Sequence, residues 1–215
     1  MAKDMISKEI AEKTARHLLE IEAVKLNVNQ PFTWASGLKS PIYCDNRRIL
    51  SFPEVRTYVK EQLANTVKTH FSDAEVVAGV ATGAIAHGAM VAETLSKPFV
   101  YVRSSAKEHG LGNQVEGFLP PGKKVVVIED LISTGQSSLA AVDALVNEKA
   151  IVLGMVAIFT YGLDRAKNNM ESAKCNLITL TDFDTLIQQA VNMGVMHHTS
   201  LESLERWKEN PQQWK

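Results

Sequence analysis

The sequence predicts an α/β fold: a mostly parallel sheet flanked by helices, with a small N-terminal hood. Two observations carry that prediction. From residue 75 onward, short apolar runs alternate with stretches of helical periodicity, the order of strand–helix–strand units. The runs, Val125-Val126-Val127-Ile128 above all, are apolar throughout, as strands covered on both faces must be.

The elements follow in order. A first helix is expected over about 6–20, where Ile6, Ile10, Thr14 and Leu18 share one face and Ala11, Ala15 and Leu19 lie beside them. A polar, turn-rich stretch runs from Asn27 to about Arg48 and contains one short strand, Ile42-Tyr43-Cys44. Ser51-Phe52-Pro53-Glu54 reads as a capping box with proline early in the helix, and Val55, Tyr58, Val59, Leu63 and Val67 then form an apolar stripe. Strands are expected at Glu75–Val80, Phe99–Arg103, Val125–Ile128, Ile151–Phe159 and Leu177–Leu180. Helices are expected at about 85–96, 137–148, 183–193 and 201–209, the last opening on a second capping box from Thr199 to Glu202. Loops 81–84, 103–116 and 129–137 leave the carboxyl ends of the strands, where parallel sheets bind their ligands.

Composition narrows the classes of function. A chain of 215 residues fits a single domain, 1–215, with about 1–48 contributing the hood. The net charge of −1 offers no basic field for nucleic acid or an anionic membrane surface. Apolar residues make up 45% of the chain, but no run approaches the ~20 that span a bilayer. The residues from Met1 to Glu9 hold no secretory apolar core. Cys44 and Cys175 have neither Cys-x-x-Cys nor zinc spacing and read as reduced thiols of a cytoplasmic protein.

The most informative segment is Val125 to Ser138. Four β-branched residues end in two adjacent carboxylates, Glu129 and Asp130, and Leu131-Ile132-Ser133-Thr134-Gly135-Gln136-Ser137 then opens a helix. Small residues let the backbone curl, the helix N-terminus aims free N–H groups inward, and the hydroxyls add donors: a cup for a phosphate monoester. Carboxylates beside such a cup repel phosphate unless they accept hydrogen bonds from hydroxyls of the same ligand, and a ribose 5-phosphate satisfies both. The competing reading is that the acids only cap the next helix.

This block resembles the phosphoribosyl-diphosphate signature of type I phosphoribosyltransferases, over residues 125–138 without a gap. The resemblance implies that Glu129 and Asp130 hold the ribose, that Ser133 through Ser137 hold the 5′-phosphate, and that Leu131 and Ile132 between them belong to the donor site. Arg103-Ser104-Ser105-Ala106-Lys107-Glu108-His109-Gly110 is similar to the catalytic loop of the orotate-using members, in which Arg103, Lys107 and His109 would meet the diphosphate. Some relatives carry a lysine where this chain has Ser104. Independently of resemblance, cations on a loop with little to pack would stabilise a diphosphate leaving group most in the transition state. A solvated surface loop is the bland alternative.

Small residues at Ala81-Thr82-Gly83-Ala84 allow close approach to a ligand. By resemblance Thr82 and Gly83 bind the diphosphate, although relatives more often read Ala-Gly-Ile-Pro from position 83; a plain strand-to-helix turn is the alternative. His87 is equally consistent with packing and function. The stretch from Phe32 to Tyr43, with Ser-Gly-x-Lys-Ser-Pro intact and alanine at position 35 where some relatives have lysine, resembles the base-binding hood. Tyr43 would stack on the base and the backbone around Ile42 would meet its edge. Arg165, after Leu163-Asp164, would pair with the carboxylate of orotate, or else be an exposed helix-start residue, and Ser133 would donate to the base.

The resemblance therefore implies transfer of a phosphoribosyl group from 5-phosphoribosyl 1-diphosphate to orotate, with Mg²⁺ brought by the substrate and no dedicated metal cage. It also implies a homodimer whose active sites are shared between subunits. The alternatives are a phosphoribosyltransferase for another base and a regulatory protein that keeps the fold without the activity.

Overall fold

The chain, described here from a computed structural model covering residues 6–34, 37–104 and 114–214, places every strand and helix the sequence announces and adds several it does not. Helix α1 (Lys8–Glu20) starts after Ser7, whose hydroxyl accepts from Ile10 N–H at 3.4 Å, and buries Thr14, Ala15, Leu18 and Leu19. Strand β1 (Val24–Leu26) pairs antiparallel with β4 (Ile42–Cys44), and between them β2 (Phe32–Thr33) pairs with β3 (Lys39–Ser40). A 3-10 helix (Asn46–Ser51) leads into α2 (Pro53–His70). Then come β5 (Val76–Val80), α3 (Ala84–Leu95), β6 (Phe99–Val102), β7 (Val115–Glu116), β8 (Lys124–Ile132) and α4 (Gln136–Asn147). The remainder is β9 (Ile151–Thr160), α5 (Asp164–Ser172), β10 (Leu177–Asp182), α6 (Phe183–Asn192) and α7 (Leu201–Glu209).

The main sheet has the order β10-β9-β8-β5-β6-β7, parallel throughout except for β7 at its edge. Alternate residues of its strands feed two cores. Val77, Val126, Ile128, Val156 and Ile158 face a cluster that includes side chains of α1, α2, α6 and α7. Val76, Ala78, Val125, Val127 and Ala157 face a second cluster with α4 and α5. The first cluster also takes Val24, Ile42 and Cys44, so the N-terminal strands pack on the same side of the sheet as α1.

Both expected capping boxes are corrected. Residue Ser51 ends the 3-10 helix, so the N-cap of α2 is Phe52 and no side chain caps it. Thr199 likewise lies in a short 3-10 turn (His198–Ser200), and Ser200, the N-cap of α7, makes no side-chain capping hydrogen bond. In each case a preceding 3-10 turn moves the helix start by one residue and breaks the reciprocal spacing a capping box requires.

The position of α3 over β5 depends on two glycines. A Cβ on Gly88 would lie 2.8 Å from the Phe99 ring and 3.1 Å from the Gly79 Cα, so only hydrogen at both positions lets helix and strand meet this closely. Gly88→Val should cost about 1–3 kcal/mol through overpacking. Thermal unfolding should show this as a loss of roughly 2–4 °C for each kcal/mol. An unchanged melting temperature would mean that the interface is looser than these distances.

Candidate active site

Strand β8 runs four residues beyond its expected end, so Glu129, Asp130, Leu131 and Ile132 belong to the sheet. Leu131 and Ile132 stay in register with Phe159 and Thr160 of β9, and the Ile132 carbonyl accepts from Tyr161 N–H at 3.1 Å. Ile132 is fully buried and Leu131 packs against the first core. The free turn therefore begins only at Ser133. Gly135, at φ +77°, ends it and stands at the N-cap of α4, where a Cβ would strike the Met170 side chain at 2.8 Å. Ser137 and Gln136 are exposed at the first turn of that helix, and the Thr134 carbonyl is held by Asn169 Nδ2 at 2.9 Å.

The two acids occupy opposite environments, as neighbours on a strand must. Glu129 is 5% exposed. Its Oε2 accepts from Ser138 Oγ at 2.7 Å and its Oε1 from Asp130 N–H at 2.9 Å. Burial, and then the charge of Asp130, push its carboxyl well above the ordinary range. Asp130 turns the other way, toward Gly83: a Cβ on Gly83 would overlap the Asp130 carboxylate. The turn after β5 and the end of β8, 47 residues apart in sequence (130 − 83), thus form one surface. The Asp130 carbonyl accepts from Asn46 Nδ2, which ties in the 3-10 helix as well.

Thr82 is exposed and Gly83 stands at the start of α3, whose first N–H groups lie beside Asp130. The Ala81–Thr82 peptide is cis. His87, one turn into α3, is 1% exposed, and neither ring nitrogen has a partner of ordinary hydrogen-bond geometry. Burial is the largest influence on its imidazole and lowers its pKa, against the opposing pull of Asp130 and the Asn46 backbone. The structure so resolves the ambiguity at His87 toward a buried side chain that nonetheless feels the site.

Arg103 stands at the root of the cation-bearing loop. Its N–H donates to the Gln114 carbonyl at 2.9 Å, Gln114 Nε2 returns a bond to the Arg103 carbonyl at 2.7 Å, and its guanidinium lies 3.6 Å from Glu116. These contacts hold the two stems together. Lys107 and His109 lie outside the described residues.

The base-binding expectations fare unevenly. Arg165, exposed on the first turn of α5, lines a cavity of about 970 Å³ together with Ser133, Thr134 and Gln136. Trp34, Gly37 and Leu38 form another wall of it. Ile42 does not face it: its side chain is fully buried, its N–H is bonded to Ser40 Oγ and its carbonyl accepts from Ser40 Oγ and the Trp34 indole. The edge contacts expected of its backbone are thus already committed inside the N-terminal strands. Tyr43, 40% exposed, stacks on Phe32 at 5.7 Å and is not among the cavity walls either. The sequence placed Trp34 inside the hood segment without giving it a role, and it announced nothing of a wall made by residues 208–212, which carry no motif.

Comparison with known proteins agrees with this geometry. Residues 46–192 match the phosphoribosyl transferase domain family. The chain is 53% identical to an orotate phosphoribosyltransferase of Porphyromonas gingivalis over 207 residues, covering 96% of this chain and 99% of that one. It is 55% identical to the orotate phosphoribosyltransferase of Listeria innocua over 205 residues, covering 95% and 98%. The crystal structure of orotate phosphoribosyltransferase from Aeropyrum pernix superposes with a TM-score of 0.73 at 29% identity, covering 85% of this chain and 98% of that one.

The buried carboxyl of Glu129 makes a prediction independent of any substrate. A carboxyl whose folded pKa exceeds its unfolded value takes up protons on folding. Its contribution is fully present below the ordinary value of 4.5 and is lost as pH rises through the raised value. Glu129→Gln keeps the shape but offers one acceptor oxygen to the two donors at Ser138 and Asp130, so the expected outcome is a melting temperature that gains on the parent's between about pH 4 and about pH 8. A difference that does not change with pH would show that the carboxylate is solvated.

Proposed function

Because this chain belongs to the orotate phosphoribosyltransferase family, we propose that it transfers the phosphoribosyl group of 5-phosphoribosyl 1-diphosphate to orotate, a step of de novo pyrimidine synthesis that yields orotidine 5′-phosphate and diphosphate. The observation that carries this reading is the single cavity in which the turn from Ser133 to Gln136 meets Arg165 and Trp34. It juxtaposes a phosphate cup, a cation for a carboxylate and an aromatic wall for a planar ring.

In this reading the turn from Ser133 to Ser137 holds the 5′-phosphate through backbone N–H groups and hydroxyls. Asp130 accepts from the ribose hydroxyls and stabilises positive charge as the C1–oxygen bond to diphosphate breaks. Glu129 supports Asp130 by accepting from its N–H and is itself held by Ser138; to touch the ribose it would have to leave these bonds. The first N–H groups of α3 at Thr82–Gly83 face the diphosphate, and Arg103, Lys107 and His109 close over it as the bond to C1 breaks. Arg165 takes the orotate carboxylate while Trp34 and Leu38 exclude water from the ring.

The oxygens of the diphosphate and ribose are hard ligands, and Asp130 is a half-buried hard acid beside Gly83, which fits Mg²⁺ arriving with the donor. The ion would neutralise charge on the departing diphosphate. Among the described residues no helix is long and apolar enough to cross a membrane, and Cys44 and Cys175 are free thiols, which suits a cytoplasmic setting. The direct test follows orotate absorbance in the ultraviolet. Consumption should require both 5-phosphoribosyl 1-diphosphate and Mg²⁺ and should stop in excess chelator; turnover without the donor would sink the proposal.

Arg165→Ala should raise the KM for orotate roughly tenfold, the worth of one charge-assisted contact at an exposed site, while the KM for the donor stays within about twofold. Equal shifts in both constants would move the carboxylate site elsewhere.

A homodimer with shared sites, each taking its loop from the partner, gives a sharper expectation. Lys107→Ala and Asp130→Asn should each be nearly inactive alone. Mixed with free subunit exchange, about half the dimers are hybrids in which one site carries both lesions and the other none, so roughly a quarter of wild-type activity should return. A mixture as inactive as its components would place each loop over its own subunit's site.

A further inference from the structure

The cavity that holds Ser133 and Arg165 is closed on its far side by the chain's C-terminal turn, from Lys208 to Gln212. Three anchors make that turn a built wall. Trp207, fully buried, sits among the rings of Trp34, Tyr161 and Phe183 at 5.6–5.7 Å. Lys208 Nζ donates to both oxygens of Asp184 at 2.7 and 2.6 Å, fastening α7 to α6. Past the turn, the Trp214 indole N–H donates to the Ser203 carbonyl at 3.0 Å, folding the chain back onto its own helix. Between these anchors Asn210 N–H bonds the Arg206 carbonyl and Gln213 N–H the Asn210 carbonyl, each at 3.2 Å.

The charges of the cavity do not by themselves select a base. Arg165 and Lys208 are opposed by Asp164 and Glu209, and Lys208 is committed to Asp184. Arg165 then remains for a carboxylate, and the polar edge of the ring needs neutral donors and acceptors. The amides of Asn210 and Gln212 are neutral, line the same cavity and are held by backbone that is pinned on both sides. We propose that the C-terminal turn Asn210–Gln212 is a specificity-determining wall of the acceptor site, whose two amides read the N–H and carbonyl edge of a planar, anionic pyrimidine. This rests on the assignment of the cavity to the base.

The test is steady-state kinetics on the full-length chain with orotate and 5-phosphoribosyl 1-diphosphate. Asn210→Ala combined with Gln212→Ala should raise the KM for orotate roughly tenfold and leave that for the donor within about twofold. Gln212→Glu, which adds a negative charge facing an anionic base, should raise the orotate constant further than Gln212→Ala does. Both residues are exposed, so an unchanged donor constant also reports a retained fold. If Arg165→Ala raises the orotate constant and no turn variant does, the wall does not read the base and this proposal falls alone. If neither Arg165→Ala nor any turn variant moves it, the base lies elsewhere and the assignment of the cavity falls too. If a turn variant shifts both substrates equally, the turn is a general support and its specificity role is overturned.

Discussion

The buried hydrogen bond from Ser138 to Glu129 is the constraint around which the site is arranged. Strand β8 is interior to the sheet and covered on both faces, so a carboxylate one residue before Asp130 must be taken into the protein. There it needs a partner, and the first turn of α4 supplies one. The bond fixes where α4 begins relative to the strand and forces the intervening residues into a turn that a glycine at φ +77° completes. Because strand neighbours point to opposite faces, burying Glu129 also delivers Asp130 to the surface beside Gly83.

The other parts of the site converge on that strand end by different means. The turn before α3 reaches Asp130 because residue 83 has no side chain, and α3 itself sits close to the sheet because residues 79 and 88 have none. The 3-10 helix reaches it through Asn46. A buried imidazole, a buried carboxyl and a short glycine contact around one acid are each unfavourable taken singly. Together they are the kind of local concession to function that a sheet with two full hydrophobic cores can sustain.

Where sequence reading erred, the cause was context beyond the local window. Both capping boxes had the right residues at the right spacing, but a 3-10 turn in front of each helix took the serine or threonine out of the N-cap position. Helix α5 has nine mostly polar residues and buries only Ala166 and Met170, an apolar stripe too short to announce it. Strand β7 has two residues and exists because the stems at Arg103 and Gln114 bond to each other. Ile42 looked available in a turn-rich stretch and is instead bonded within the N-terminal strands, since an indole and a serine hydroxyl happen to reach it.

The sequence by itself determined the α/β order, the five long strands and most helix ends to within a residue or two, because apolar periodicity and β-branched runs are local signals. It also marked the acid pair, the turn after it, the small residues at Thr82–Gly83 and the placement of Arg165 just after a strand, since these are contiguous in the chain. Only tertiary structure decided which acid faces outward, because that depends on the register of β8 against β5 and β9. Only it could bring Trp34 and the turn at Asn210–Gln212 onto one cavity, as these lie about 175 residues apart and are joined by a cluster of rings rather than by any motif. Periodicity records which face of an element is buried; it holds no record of which distant element covers that face.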